Sequence, residues 1–273
     1  MCGIVAYVGD RNACDIVLDG LRRLEYRGYD SAGLAVATER GIERQRSVGK
    51  LHNLSALFEE NPLSGPVGMG HTRWATHGGV TEANCHPHTD HNGTISIVHN
   101  GIVENYRQLK QELVEEGFAF NSQTDTEVIA HLVGKYYDEG AVDLVTAVRQ
   151  AMKRLKGPSA IVVMSALEPD RLVTARLGNA GGVVLGVGED EMFVASDMPA
   201  ILDYTQEMIF LDDRDVALVT KEGAEFTNLD GETVEKTTST VSWNPVAAAK
   251  EGYKHFMLKE IYEQSRSVTD AIR

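Results

Sequence analysis

The residue with the clearest potential for chemistry is Cys2, which follows the initiator methionine. Once Met1 is removed, Cys2 carries a thiol and a free α-amine on the same residue. A cysteine thiol with a pKa of about 8.5 is mostly protonated at neutral pH, whereas an α-amine with a pKa of about 7.7–8.0 can accept its proton. N-terminal amines activate nucleophiles in this way, directly or through one water. The sequence therefore predicts that Cys2 is a nucleophile with its own amine as the base.

The residues around Cys2 indicate that it is held in place. Residues 2–8 form an apolar, partly β-branched run that ends at the turn-forming pair Gly9-Asp10, which is typical of a core strand. The alternative is a frayed terminus, because chain ends are commonly disordered. A strand would fix the thiol, as a catalytic nucleophile requires.

A polar segment from His71 to Gly79 could bind a small charged molecule. Arg73 offers a planar fork that suits a carboxylate, and Trp74 is bulky enough to cover a ligand. Thr76 and His77 add hydrogen-bonding groups. The alternative is that Arg73 forms an ion pair with a neighbour and Trp74 belongs to the core.

Two further positions carry polar groups at the boundaries of predicted elements. Asn100 and Gly101 follow a strand-like run, and the amide of one with the backbone N–H of the other could donate to a developing oxyanion. An Asn-Gly pair is also a common turn. Asp125 lies in a capping box, Thr124-Asp125-Thr126-Glu127, and could balance a helix N-terminus, hold a substrate ammonium, or do both.

The composition favours a globular protein with small-molecule ligands. Apolar residues make up 42% of the 273 residues, and the formal net charge of −14 disfavours nucleic acid and anionic membranes as partners. Cys2, Cys14 and Cys85 lack the spacing of a disulfide framework, which suits a reducing compartment. No apolar run approaches the length of about 20 residues that a membrane span needs. We therefore expect a cytoplasmic protein.

A metal site is one alternative class of function. The run Cys85-His86-Pro87-His88-Thr89-Asp90-His91 clusters potential zinc ligands. No second ligand pair lies at finger-like spacing in the sequence. We therefore expect neither a metal nor another cofactor.

Hydrophobic periodicity predicts an α+β fold with antiparallel sheets and helices on their faces. Helical patterns lie near 13–25, 53–60, 106–117, 126–136 and 144–155, and a last one at 253–273. Strand patterns lie at 2–8, 31–38, 42–48, 67–72 and 94–99, with a further series after Pro158. Residues 232–246 are polar and irregular, as in a linker.

Five segments resemble the N-terminal-nucleophile (class II) glutamine amidotransferases. They are Met1–Val5, Tyr26–Gly33, His71–Gly78, His99–Gly101 and Thr124–Glu127. They are most similar to the glutaminase domain of the glutamine–fructose-6-phosphate aminotransferases, the glucosamine-6-phosphate synthases. The resemblance covers roughly residues 2–230. It implies an αββα sandwich, with two antiparallel sheets between helical layers, and a glutaminase domain over residues 1–240.

The resemblance also implies a role for each candidate residue. Cys2 attacks the side-chain amide of glutamine, and Asn100 and Gly101 form the oxyanion hole. Arg73 binds the substrate α-carboxylate, and Asp125 binds its α-ammonium. The other pocket residues are Thr76 and His77 in its lining, Trp74 on the loop that covers it and gates ammonia passage, and Arg27 nearby.

Members of this family continue into two sugar-isomerase domains, where ammonia meets fructose 6-phosphate. Residues 253–264 look like the lead-in to that half, so residues 241–273 are expected to be a linker and this lead-in. The resemblance implies that glutamine is the substrate here and that fructose 6-phosphate binds only through the missing half. It also implies that the full-length enzyme is a homodimer.

Two other functions compete with this interpretation. A glutamine-sensing domain without turnover is disfavoured by the intact Cys2, Asn100 and Gly101. The glutaminase domain of an amidophosphoribosyltransferase is disfavoured by the Trp74–His77 segment, where that branch carries other residues.

Overall fold

A computed structural model describes residues 2–140, 142–242, 253 and 255–272. The chain divides into two compact units, Met1–Thr240 and Val241–Arg273. The assignment of a glutaminase domain to 1–240 and of a linker with lead-in to 241–273 stays a prediction. No helix in the described ranges is long and apolar enough to cross a membrane.

Helices and strands are mixed along the described residues. The strands are β1 (Gly3–Gly9), β2 (Ser31–Thr38), β3 (Gly41–Val48), β4 (Val67–Arg73), β5 (His88–Thr89), β6 (Ile95–Gly101), β7 (Ser159–Ser165), β8 (Leu172–Leu177), β9 (Val184–Val187), β10 (Glu191–Ala195), β11 (Glu207–Phe210), β12 (Asp215–Thr220), β13 (Gly223–Asn228) and β14 (Ser239–Thr240). The helices are α1 (Ala13–Leu24), α2 (Leu51–Glu60), α3 (Tyr106–Glu115), α4 (Thr126–Gly140), α5 (Leu144–Arg154) and, in the second unit, α6 (Phe256–Ile272).

The strands of the first unit form two sheets within the described residues. One sheet has the order β14-β11-β9-β10-β1-β4-β2-β3, and the other has the order β13-β12-β8-β7-β6-β5. The strand pairs in both sheets are antiparallel, so the N-terminal end of β1 lies beside the C-terminal end of β4. This pairing positions the candidate site.

Strand β1 is apolar throughout because both of its faces are buried. Ile4, Ala6 and Val8 belong to a core that also contains residues of the second sheet, such as Val98 of β6. The alternate residues face α1, which approaches β1 so closely that a Cβ on Gly20 would lie 2.8 Å from a methyl group of Val5. A second core joins the other face of the second sheet to α3, α4 and α5.

The layers are therefore helix, sheet, sheet and helix, and the predicted α+β αββα sandwich is confirmed. Most predicted elements agree with the structure within a few residues, as at β2 and α1. Strand β14 lies within residues 232–246, which the sequence predicted to be irregular, so that prediction is wrong for Ser239–Thr240.

Candidate active site

Strand pairing and the packing of the two sheets bring two of the polar segments to Cys2. Gly3 pairs with Thr72 near the end of β4, so Arg73 and Trp74 come next to Cys2. Asn100 is the second-to-last residue of β6, and its side chain reaches Cys2 from the second sheet. One end of the sandwich therefore holds the residues that the sequence predicted to be chemically active.

The Cys2 thiol is half-buried and bonded to the backbone of Trp74. The Trp74 N–H donates to Sγ at 3.2 Å, and the thiol lies 3.6 Å from the Trp74 carbonyl oxygen, to which it can donate. Burial raises the pKa of the Cys2 thiol, the Trp74 N–H opposes this, and the Asp30 carboxylate raises it further. The thiol is therefore protonated at neutral pH, and nucleophilic attack needs a base.

The Asn100 side chain is buried and bonded at both ends. Its Nδ2 donates to the Cys2 carbonyl oxygen at 3.4 Å, and its Oδ1 lies 3.1 Å from His71 Nε2. Asn100 and Gly101 pair with Ala160 and Ser159 of β7, so the alternative that they form a turn is wrong. Gly101 has a φ of +135°, and a Cβ there would lie 2.1 Å from the Pro158 carbonyl oxygen. The backbone therefore requires glycine at this position.

Arg73 is buried and holds the loop that follows β4. Its guanidinium donates to the carbonyl oxygens of Gly79 at 3.1 Å, His77 at 2.5 Å and Gly78 at 3.4 Å. In the described residues these bonds go to loop carbonyls, in contrast to the ion pair considered as an alternative. Its predicted role toward a substrate carboxylate stays a prediction.

Asp30 fixes the beginning of the same loop. Its Oδ2 accepts a hydrogen bond from the Ala75 N–H, and its Oδ1 accepts from the Ser31 hydroxyl at 2.9 Å. The Trp74 ring is 47% exposed and meets the edge of Tyr29, with ring centroids 5.5 Å apart. The alternative that Trp74 belongs to the core is therefore wrong. Sequence reasoning missed Asp30, for which the available signal was an acidic residue directly before a fully buried strand.

A small cleft opens beside the Cys2 thiol. Its lining consists of Cys2, Arg73, Trp74, Thr76, His77, His86, His99, Gly101, Thr124, Asp125 and Thr126. Most of the predicted site residues therefore share one cleft. Arg27 is held elsewhere, since its Nη1 forms an ion pair with Asp197 at 2.8 Å, and its role stays a prediction.

Asp125 is buried at the beginning of α4 and faces this cleft. Its Oδ2 accepts the Val103 N–H at 2.7 Å. The predicted capping box is arranged differently from the expectation. Glu127 accepts N–H groups from Asn121 and Ser122, both at 2.7 Å, while the Thr124 hydroxyl lies 3.1 Å from His88 Nε2.

Four buried histidines, His71, His86, His88 and His99, lie at the cleft, where His86 and His99 form part of the lining. His86 Nε2 and His99 Nδ1 share the Thr126 hydroxyl oxygen at 2.9 and 3.0 Å. Burial is the main cause that lowers the pKa of His71 and of His88 to about 3, so both are neutral at physiological pH. Sequence reasoning missed this cluster. Its signal was histidine near the ends of apolar strands, as at His71 and His99, together with threonine at the beginning of a helix.

The candidate zinc ligands at 85–91 have other partners. His86 and His88 bond to threonine hydroxyls, and the Cys85 thiol lies 3.2 Å from the Thr81 carbonyl oxygen. Within the described residues, no group of three or more His, Cys, Asp or Glu side chains is placed to hold a metal ion.

Comparison with known proteins decides the family. Residues 55–252 match the glutamine amidotransferase domain family. The chain belongs to this family. It is 51% identical, over 97% of its length, to the glutamine–fructose-6-phosphate aminotransferase (isomerizing) of Thermus thermophilus. It is 47% identical over its whole length to the enzyme of that name from Thermococcus kodakarensis.

The amidotransferase chain spans 43% and 45% of these two relatives, less than half of their length. Among solved structures, it resembles glutamine phosphoribosylpyrophosphate amidotransferase from B. subtilis, complexed with ADP and GMP. That match has a TM-score of 0.71 and 26% identity, and covers 85% of this chain and 50% of that chain. The resemblance to the glutamine amidotransferases inferred from the sequence is confirmed.

Proposed function

We propose that this chain hydrolyses the side-chain amide of L-glutamine to glutamate and ammonia, with Cys2 as the nucleophile. The observation that carries the proposal is the position of the Cys2 thiol at the cleft. The Asn100 side-chain amide donates to the Cys2 carbonyl oxygen, and Gly101 lines the cleft. Membership of the glutamine amidotransferase domain family supports the same chemistry.

The first half of the reaction forms a thioester. The α-amine of Cys2 removes the thiol proton, and Sγ attacks the amide carbon of glutamine. The Asn100 Nδ2–H and the Gly101 N–H stabilise the resulting oxyanion. The C–N bond then breaks, and the proton held by the α-amine passes to the leaving nitrogen, which departs as ammonia.

The second half releases the product. A water gives one proton to the α-amine and attacks the thioester carbon, and the same two donors stabilise the oxyanion. The C–S bond breaks and Sγ recovers the proton from the amine. The new carboxyl group, which contains the water oxygen, releases the second proton of the water to solvent, and glutamate leaves. The base is needed in the first half because burial raises the pKa of the Cys2 thiol, and in the second half because water is a weak nucleophile until a base removes its proton.

The substrate backbone is held by charged groups of the cleft. Arg73 carries five N–H donors, so its bonds to the loop leave capacity for the α-carboxylate. Asp125 accepts Val103 N–H through Oδ2, and its Oδ1 is assigned to the α-ammonium. Thr76 and His77 complete the lining, whereas Trp74 covers the site, gates ammonia and is exposed enough to move. Arg27 supports the site from outside the cleft.

In the full-length protein, the proposal assigns the ammonia to fructose 6-phosphate, giving glucosamine 6-phosphate. The names of the relatives at 51% and 47% identity support fructose 6-phosphate as the acceptor. Phosphoribosyl pyrophosphate appears only in the name of the B. subtilis enzyme, which is less similar at 26% identity. Residues 241–273 then lead into the acceptor half. The proposal includes a homodimeric full-length enzyme in the cytoplasm. The free thiols of Cys2, Cys14 and Cys85 fit the reducing conditions of that compartment.

The test compares two cysteine variants. Cys2→Ala should abolish glutamate release while the protein stays folded, and retention of Met1 should do nearly the same. Cys14→Ala is the control, because burial raises the pKa of that thiol to about 12 and it should retain activity. An electrophilic glutamine analogue should label Cys2 alone. Appreciable turnover by Cys2→Ala would exclude this mechanism.

A further inference from the structure

The Asn100 side chain can stabilise an oxyanion in only one of its two orientations. A rotation of the amide by 180° leaves its shape almost unchanged but exchanges a donor for an acceptor. With Nδ2 toward Cys2, the amide donates to negative charge beside Sγ. With Oδ1 there, it would repel the same charge. The site therefore requires a group that selects the orientation.

His71 is placed to make this selection. Its Nε2 lies 3.1 Å from Asn100 Oδ1, on the side away from Cys2, and both side chains are buried. The Cys2 carbonyl oxygen is the partner at the other end, at the longer distance of 3.4 Å. The amide nitrogen has two hydrogens, so its bond to that carbonyl leaves a second N–H for an oxyanion.

The surroundings of His71 keep its ring neutral and in a fixed plane. The ring is 1% exposed and stacks on His86, with centroids 4.2 Å apart. A neutral imidazole carries one ring proton. Because the Cys2 carbonyl oxygen can only accept, Nδ2 faces it and Oδ1 faces His71, and the contact with Oδ1 then requires this proton on Nε2.

We propose that His71 is a positioning residue for glutamine hydrolysis, which holds Asn100 with its N–H donors toward the Cys2 thiol. This inference rests on the proposed function. His71 does not line the cleft, and it acts on the reaction only through Asn100. Its loss should therefore reduce kcat far more than it changes the KM for glutamine.

The test compares glutamate release by His71→Leu, His71→Gln, Asn100→Ala and the double variant. Removal of an oxyanion donor costs roughly 10²–10³-fold in kcat, and we expect His71→Leu to lose roughly 10–10²-fold with KM changed less than about threefold. His71→Gln can place an N–H near the same point and should recover part of this loss. In the Asn100→Ala background, His71→Leu should cause little further loss, because the two residues act as one unit.

The matched control for burial is His88→Leu, which removes an equally buried neutral imidazole that bonds to Thr124 instead of Asn100. It should lower stability as His71→Leu does, with a much smaller effect on kcat. Alkylation of Cys2 by iodoacetamide, which needs no oxyanion hole, should stay near the wild-type rate in both variants. ¹⁵N NMR should show the His71 proton on Nε2.

Three results would overturn the inference: equal kcat losses in the two leucine variants, additive losses in the double variant, or a His71 proton on Nδ1. The failure of the proposed function has a different signature. In that case Asn100→Ala itself would retain the wild-type kcat.

Discussion

Substitution of Gly101 by alanine is expected to damage both stability and catalysis. The backbone there has a φ of +135°, and the new Cβ would lie 2.1 Å from the Pro158 carbonyl oxygen and 3.0 Å from His99 Nε2. A strained backbone of this kind costs about 1–3 kcal/mol. Displacing a packed backbone carbonyl adds about 1–3 kcal/mol. The predicted loss in the free energy of unfolding is therefore about 2–6 kcal/mol.

Gly41→Ala is the matched control for the free-energy cost of backbone strain. Gly41 has a φ of +105°, and a Cβ built on it has no neighbouring atom within 4 Å. It should lose only the strain energy of about 1–3 kcal/mol. With an m-value of about 3 kcal/mol/M, the urea midpoint of Gly101→Ala should lie roughly 0.3–1 M below that of Gly41→Ala.

The same two variants test the catalytic assignment. A shift of β6 at Gly101 displaces the oxyanion donors, and a misplacement of about 1 Å costs roughly 10²-fold in rate. Glutamate release by Gly101→Ala should therefore fall by about that factor, while Gly41→Ala should keep the wild-type kcat. Equal urea midpoints for the two variants, or a normal kcat in Gly101→Ala, would refute the reasoning.

Three further outcomes are expected. Arg73→Ala should raise the KM for glutamine roughly tenfold or more, since a charge-assisted bond contributes about 1.5–3 kcal/mol. The KM of Arg73→Lys should be intermediate. An unchanged KM in Arg73→Ala would limit Arg73 to its loop contacts. The contribution of His71 and His88 to the free energy of unfolding should be fully present above pH 6.5. It should fall toward pH 3 by up to about 1.4 kcal/mol per pH unit for each residue. The reason is that their pKa values of about 3 in the fold lie below the unfolded value of about 6.5, and urea midpoints that stay constant from pH 7 to 5 would contradict it. Residues 1–273 alone should release glutamate at a rate that fructose 6-phosphate barely changes and should make no amino sugar; strong activation by the sugar would place its site within this chain.

The sequence predicts helices and strands best where one pattern of apolar residues continues for several residues. Helix α1 agrees closely with its predicted range because burial repeats along it with the period of a helix, and strand β2 does so because it is a continuous apolar run that is buried at all but its last residue. Strands β5 and β14 have two residues each, which is too short for any period. The order of strands in the sheets depends on pairing between distant segments, and local patterns carry no information about it.

The site shows the same division. The sequence indicates Cys2, Asn100 and Gly101 as candidate site residues because their chemistry is unusual for the places they occupy. Asp30 and His71 were missed because their roles exist only through partners 45 and 29 residues away, Ala75 and Asn100. An isolated sequence shows the type of these residues but not the contact that gives each one its function.

The buried histidines also bear on which group activates Cys2. A thiol with a raised pKa needs a base, and histidine is the usual choice in cysteine enzymes. The hydrogen bonds that the structure describes at Cys2 Sγ are with the Trp74 backbone. His71 and His88, with pKa values lowered to about 3, would be weak bases at neutral pH. An α-amine near pKa 8 is far better matched to the thiol, which supports the proposal that the N-terminal amine takes the thiol proton.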